Sequence, residues 1–143
     1  MNIQRFIGLS VLASLSVLLP CQAQAAPLLT VSTDQAMAGE QIASAAVVST
    51  IIRASKPAEV QKLDACLTDL KLPQGAYNRL FRSVLLPSLR SGEQLYFVRA
   101  ALNPYCQSLY SDGSFRHWFV AGVGNAYQVR HSGLGNNVRI LNV

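Results

Sequence analysis

The stretch Gly122 to Ile140, GVGNAYQVRHSGLGNNVRI, decides how the second half of the chain is read. Gly122-Val123-Gly124-Asn125 returns eleven residues later as Gly133-Leu134-Gly135-Asn136. Paired glycines of this kind either cradle a phosphate or punctuate a β-meander. A dinucleotide fingerprint needs a third glycine and a following helix. Tyr127 and Val138 occupy the third-glycine positions, and AYQVRH and NVRILNV, which follow, are strand-like. The Gly-Lys-Ser/Thr ending of the other phosphate loop is absent. The glycines and asparagines are therefore read as suppliers of positive φ at hairpin connections.

Working outward, Gln94 to Leu102, Phe115 to Ala121, Ala126 to His131 and Val138 to Val143 alternate as strands do. The period before them is helical. Ser32-Thr33-Asp34-Gln35 resembles a capping box, and Ala38, Ile42, Ala45, Val48 and Ile52 recur at helical spacing, predicting a helix over 32–55. Lys56-Pro57 breaks it. Val60, Leu63, Leu67 and Leu70 predict a second helix over 58–70, and Tyr77, Leu80, Phe81, Val84 and Leu85 a third over 76–86, stopped by Pro87. Residues 104–114, PYCQSLYSDGS, fit a short helix or an extended loop equally well. The expected fold is α+β: N-terminal helices packed on a C-terminal antiparallel meander of about four strands, with one disulfide.

The front of the chain reads as an export signal. Arg5 supplies a positive n-region, residues 6–19 an apolar core, and Ala23-Gln24-Ala25 a small-x-small cleavage pattern. The apolar run is short of the roughly 20 residues of a membrane span. The expected domains are a signal peptide over 1–25 and one α+β domain over 26–143, periplasmic, with no stable membrane insertion after cleavage. An uncleaved anchor is the competing reading. Cys21 follows Pro20, where a lipoprotein signal needs a small residue, so it is read as discarded with the signal, with a lipid anchor as the alternative. Cys66 and Cys106 remain, and an even pair in an oxidising compartment reads as a disulfide. Closing a loop of about 40 residues would stabilise the fold by roughly 4 kcal/mol. A catalytic thiol is the alternative, but neither cysteine has a nearby His or a Cys-x-x-Cys partner.

Loss of Arg5 would leave eleven cations against seven acids, a net +4. Residues 76–143 hold seven arginines against Glu93 and Asp112 alone. Arginine grips carboxylate and phosphate with two parallel hydrogen bonds, so this half suits an anionic protein or an envelope component, the competing reading being an ordinary solvated face. Arg99, Arg116 and Arg130 are the expected contacts, with Trp118 as an aromatic anchor. Nucleic acid does not fit an exported chain without a basic run interleaved with stacking aromatics.

Chemistry has few carriers. His117 and His131 are the candidate bases near neutral pH. Ser114, His131 and Asp112 could be drawn as a triad, yet no Gly-x-Ser-x-Gly elbow, His-Glu-x-x-His or zinc spacing occurs. No catalytic residue, metal or cofactor is assigned.

The blocks YFVRAALNPYC (96–106) and SFRHWFV (114–120), with their Phe-Val-Arg, Pro-Tyr-Cys and aromatic-x-x-Trp pattern, resemble a set of short exported proteins of Gram-negative bacteria. The likeness covers about 25 residues. Ala100 or Ala101 stands where a proline is usual in that set. The resemblance implies a periplasmic home and a structural role for Cys106, and transfers no catalytic residue. The expectation is a non-enzymatic binding or inhibitory protein, in its specific form an immunity-type inhibitor of a secreted toxin or a lysozyme-like enzyme. The alternatives are a small envelope hydrolase using His117 or His131 and an accessory domain without a discrete site.

Overall fold

A computed structural model describes residues 28–32, 35–100, 110–111 and 114–141. The expected signal peptide, Cys21, Cys106, Asp112 and most of the 104–114 segment lie outside them.

The elements in chain order are β1 (Leu29–Ser32), β2 (Gln41–Ile42), α1 (Ala45–Ala54), α2 (Pro57–Asp69), a single 3-10 turn (Tyr77–Leu80), β3 (Phe81–Leu86), β4 (Gln94–Ala100), β5 (Tyr110–Ser111), β6 (Ser114–Val123), β7 (Ala126–Gly135) and β8 (Asn137–Ile140). One antiparallel sheet runs β2-β3-β4-β6, with β7 along the far side of β6 and short β5 beside the start of β6. β1 and β8 form a separate antiparallel ribbon, Leu29 opposite Ile140 and Val31 opposite Val138.

The sheet is covered on both faces. Phe81, Val98, Trp118 and Val120 point to one side, where Val47, Val48 and Ile51 of α1 and Leu63, Cys66 and Leu67 of α2 close over them. Phe97 and Phe115 point to the other, under Leu29 and Val31 of the ribbon and Met37 of the loop before β2. Alternation along β4 and β6 thus feeds two cores.

The fold is α+β, but the expected arrangement is corrected on four counts. Strands β1 and β2 precede both helices, so the helices are only partly N-terminal to the sheet. The first predicted helix shrinks to 45–54. Its cap is Ser44, whose hydroxyl accepts from the Val47 amide at 3.3 Å. Gly39, at φ 71°, interrupts any helix before it, and Ile42, assigned to the apolar stripe, is 58% exposed. The third predicted helix is a strand after one 3-10 turn. Phe81 and Ser83 face the helices, Val84 and Leu86 face the ribbon, and the backbone pairs with β4 from Phe81 to Leu86. Period two, with a partner strand on hand, wins over the helical reading.

Finally, no disulfide pair is seen among the described residues. Cys66 is buried and is not a free thiol, but Cys106 lies outside them, so the expected staple is not part of the described fold.

The repeat that opened the sequence reading splits. Gly124, at φ 60°, and Asn125 form the two-residue turn between β6 and β7. A positive φ at the first turn position alone is the primed geometry that suits twisted strands. Gly133 and Gly135, expected at a hairpin connection, lie instead within β7 and do not have positive φ.

Candidate functional site

The expected contact residues are not on one face. Arg99 is fully buried. Its Nη1 donates to the Ser32 carbonyl at 2.8 Å and its Nη2 to the Gln35 carbonyl at 2.6 Å, while Glu40 Oε2 lies 3.5 Å from Nη2. The guanidinium also stands 5.7 Å from the Phe115 ring centre. Arg99 therefore ties the β1 end and the following loop to the sheet and presents nothing to solvent. Arg82 stands opposite it in register, and Glu40 lies 4.0 Å from Arg82 Nε, between the two like charges.

Trp118 is likewise internal. Its ring meets Phe81 edge-on at 5.4 Å under the helices, so it packs the core. Arg116 reaches the same side, where its guanidinium sits 2.8 Å from Glu59 of α2 and 5.8 Å from the Trp118 ring centre. Of the expected set, Arg130 lines an open cleft.

The two histidines do come together, on the ribbon side, with ring centres 6.1 Å apart. His117 is buried: its ring stacks on Phe97 at 5.5 Å, and Phe115 and Phe119 meet it edge-on. Its Nδ1 has no hydrogen-bond partner among the described residues. Burial pushes its pKa below the ordinary value, helped by charge on His131 and Arg116. His131 is exposed and faces Phe119 in register. Ser114 stands five strand positions from Phe119, roughly 17 Å along β6, so the drawn triad does not assemble. No cluster of three or more metal-ligating side chains exists among the described residues.

The geometry with chemical content lies elsewhere, at the end of the sheet where β3 turns into β4. Leu86, Leu95 and Phe119 of the sheet and Leu28, Ile140 and Leu141 of the ribbon enclose an apolar cleft of about 420 Å³. Its polar wall is Arg90, Glu93 and Arg130. A second depression of about 400 Å³ shares Arg90, Glu93, Ala121 and Arg130 with the first, and is otherwise lined by Ser91, Gly122 and Gln128 among others.

Glu93 is the fixed post. It is largely buried, accepts from the Ser88 hydroxyl at 2.9 Å, and draws Arg130 Nη2 to 3.3 Å and Arg90 Nη1 to 4.0 Å. The Ser88 hydroxyl in turn accepts from the Arg90 amide at 3.2 Å. Arg130 owes its position to a bulge: Phe119 pairs with His131 and Val120 with Val129, leaving Arg130 as the extra residue. Two guanidiniums share one carboxylate, which leaves one positive charge where the two depressions meet.

Sequence reasoning did not join Arg90 and Arg130 to Glu93, because Arg90 and Glu93 belong to a turn and Arg130 to a distant strand. The available signal was Glu93 itself, one of two acids in an arginine-rich half. The apolar wall carries no local signal, since it needs ribbon and sheet together. No protein-family model, characterised protein or solved structure shows significant similarity to the chain.

Proposed function

We propose that the chain is an exported, non-catalytic binding protein that engages an anionic component of the cell envelope. The observation that carries this reading is the convergence of Arg90 and Arg130 on the single carboxylate of Glu93 at the edge of an apolar cleft. A cleft of this size lies within the roughly 300–1,000 Å³ range of ligand sites, which are mostly apolar with a few placed polar groups. The signal-like N-terminus supports an envelope setting. An inhibitor acting through a broad cationic face is less well supported, because Arg99 is internal and Arg116 is tied to Glu59.

Sedimentation with vesicles tests the reading. The protein should partition onto vesicles containing phosphatidylglycerol and stay in solution with phosphatidylcholine alone, and the Arg90→Gln/Arg130→Gln variant should lose the difference. Equal partitioning onto both vesicles, or partitioning unaffected by the double substitution, rejects it.

A further inference from the structure

The two depressions differ in character and meet at one place. The first is walled by leucine, isoleucine and phenylalanine side chains, and the second by Ser91 and Gln128 together with Gly122, Val123 and Ala126 at the ends of β6 and β7. Arg90, Glu93, Ala121 and Arg130 belong to both. We infer that the ligand is a two-part amphiphile, its hydrocarbon arm in the apolar cleft and its anionic head where the second depression joins it, with the charge at the junction held by Arg90 and Arg130. This inference rests on the binding function proposed above and names the ligand class.

Three observations lead to it. The polar junction is biased toward an anion, because two cations face one carboxylate and that carboxylate is already held by Ser88. Arg90 and Arg130 have side chains 73% and 46% exposed, so they are free to turn onto a ligand while Glu93, at 14%, keeps its place. The rim of the apolar part is itself apolar and unprotected: Leu89 is 98% exposed and Leu141 58%. A hydrocarbon arm lying between them removes that surface from water. A small anion alone would leave the cleft unfilled, and a neutral amphiphile would leave the surplus guanidinium charge unanswered.

Calorimetric titration of protein expressed from the full sequence separates the parts. The probes are dodecyl phosphate, dodecyl maltoside and inorganic phosphate, with both detergents kept below their micelle concentrations. Dodecyl phosphate should bind at least about tenfold tighter than dodecyl maltoside, since one charge-assisted contact is worth about that much, and at least about tenfold tighter than inorganic phosphate, which lacks the hydrocarbon arm. Arg130→Gln should remove the advantage over the maltoside. Leu89→Ser/Leu141→Ser should weaken both dodecyl ligands severalfold. Thermal unfolding of these variants, all altered at exposed positions, should match the parent. If inorganic phosphate binds as tightly as dodecyl phosphate, the amphiphile inference falls and the anion-binding function stands. If the two dodecyl ligands bind alike and Arg130→Gln changes nothing, both fall. Binding of dodecyl phosphate that neither variant weakens, or no binding of any probe, overturns the inference.

Discussion

The imidazole of His117 lies directly over Gly133 on the neighbouring strand. A β-carbon built at Gly133 would stand 3.2 Å from His117 Cε1 and 3.3 Å from Nε2. The second glycine repeat thus makes room for a ring rather than for a turn.

Gly133→Ala should therefore destabilise the fold by about 1–2 kcal/mol, because Phe97, Phe115 and Phe119 leave His117 little space to retreat. Gly122→Ala should cost more, since its β-carbon would collide with the Ala126 carbonyl oxygen. Urea unfolding of the two variants gives the order, and a harmless Gly122→Ala would contradict the β6–β7 register.

The same ring makes stability depend on pH. Its folded pKa lies below the unfolded value near 6.5, chiefly through burial and then through charge on His131 and Arg116, and Arg99 stands opposite it on β4. The unfolded chain therefore binds the proton first. The contribution of His117 is complete above about pH 6.5 and declines as pH falls from there toward the lower folded pKa. Unfolding free energies measured across that window should decline less steeply in His117→Phe than in the parent, and parallel slopes would remove His117 as the cause.

Replacing Arg99 tests whether it is a structural clamp. Arg99→Met strands two carbonyls and leaves Glu40 only Arg82 and the Met37 amide, and should cost about 3–5 kcal/mol in urea unfolding. Arg99→Lys should recover only part of this, because an ammonium cannot span both carbonyls with a planar fork. A loss under 1 kcal/mol in Arg99→Met would return Arg99 to the surface.

Arg116 and Arg130 should separate cleanly. Arg116→Gln breaks a half-exposed pair with Glu59 and should lower stability by roughly 0.5 kcal/mol, with no change in vesicle partitioning. Arg130→Gln should leave unfolding almost unchanged and weaken partitioning. The reverse pattern would move the contact surface to the helix side.

Ser44→Ala should cost about 1 kcal/mol through loss of the α1 cap. Ser32→Ala should cost less, since Ser32 contributes its backbone carbonyl to Arg99. Equal costs would favour the longer helix that the sequence suggests.

What the sequence made legible was local. Pro57 with the Leu63 and Leu67 spacing announced α2 nearly to the residue, and the alternation in Gln94–Ala100 and Phe115–Ala121 announced β4 and β6. The failures came from partners distant along the chain. Alternation placed Arg99 on one side of a strand, but that side carries the ribbon and not water, so an exposed arginine was read where a buried one stands. Residues 81–86 fit a helical stripe as well as a strand, and only pairing with β4 decides between them. The cleft could not be foreseen because Ile140 and Leu95, both in its wall, meet only through the tertiary fold.

The pairing of Leu29 with Ile140 also sets a timetable for assembly. Strands β3, β4, β6 and β7 can zip in chain order, whereas β1 must wait for β8 to be synthesised and delivered. Until then one face of Phe97 and Phe115 stays wet, and the chamber lacks its Ile140 and Leu141 wall. A nascent chain stalled before residue 137 would hold most of its sheet and lack the wall that makes the cleft.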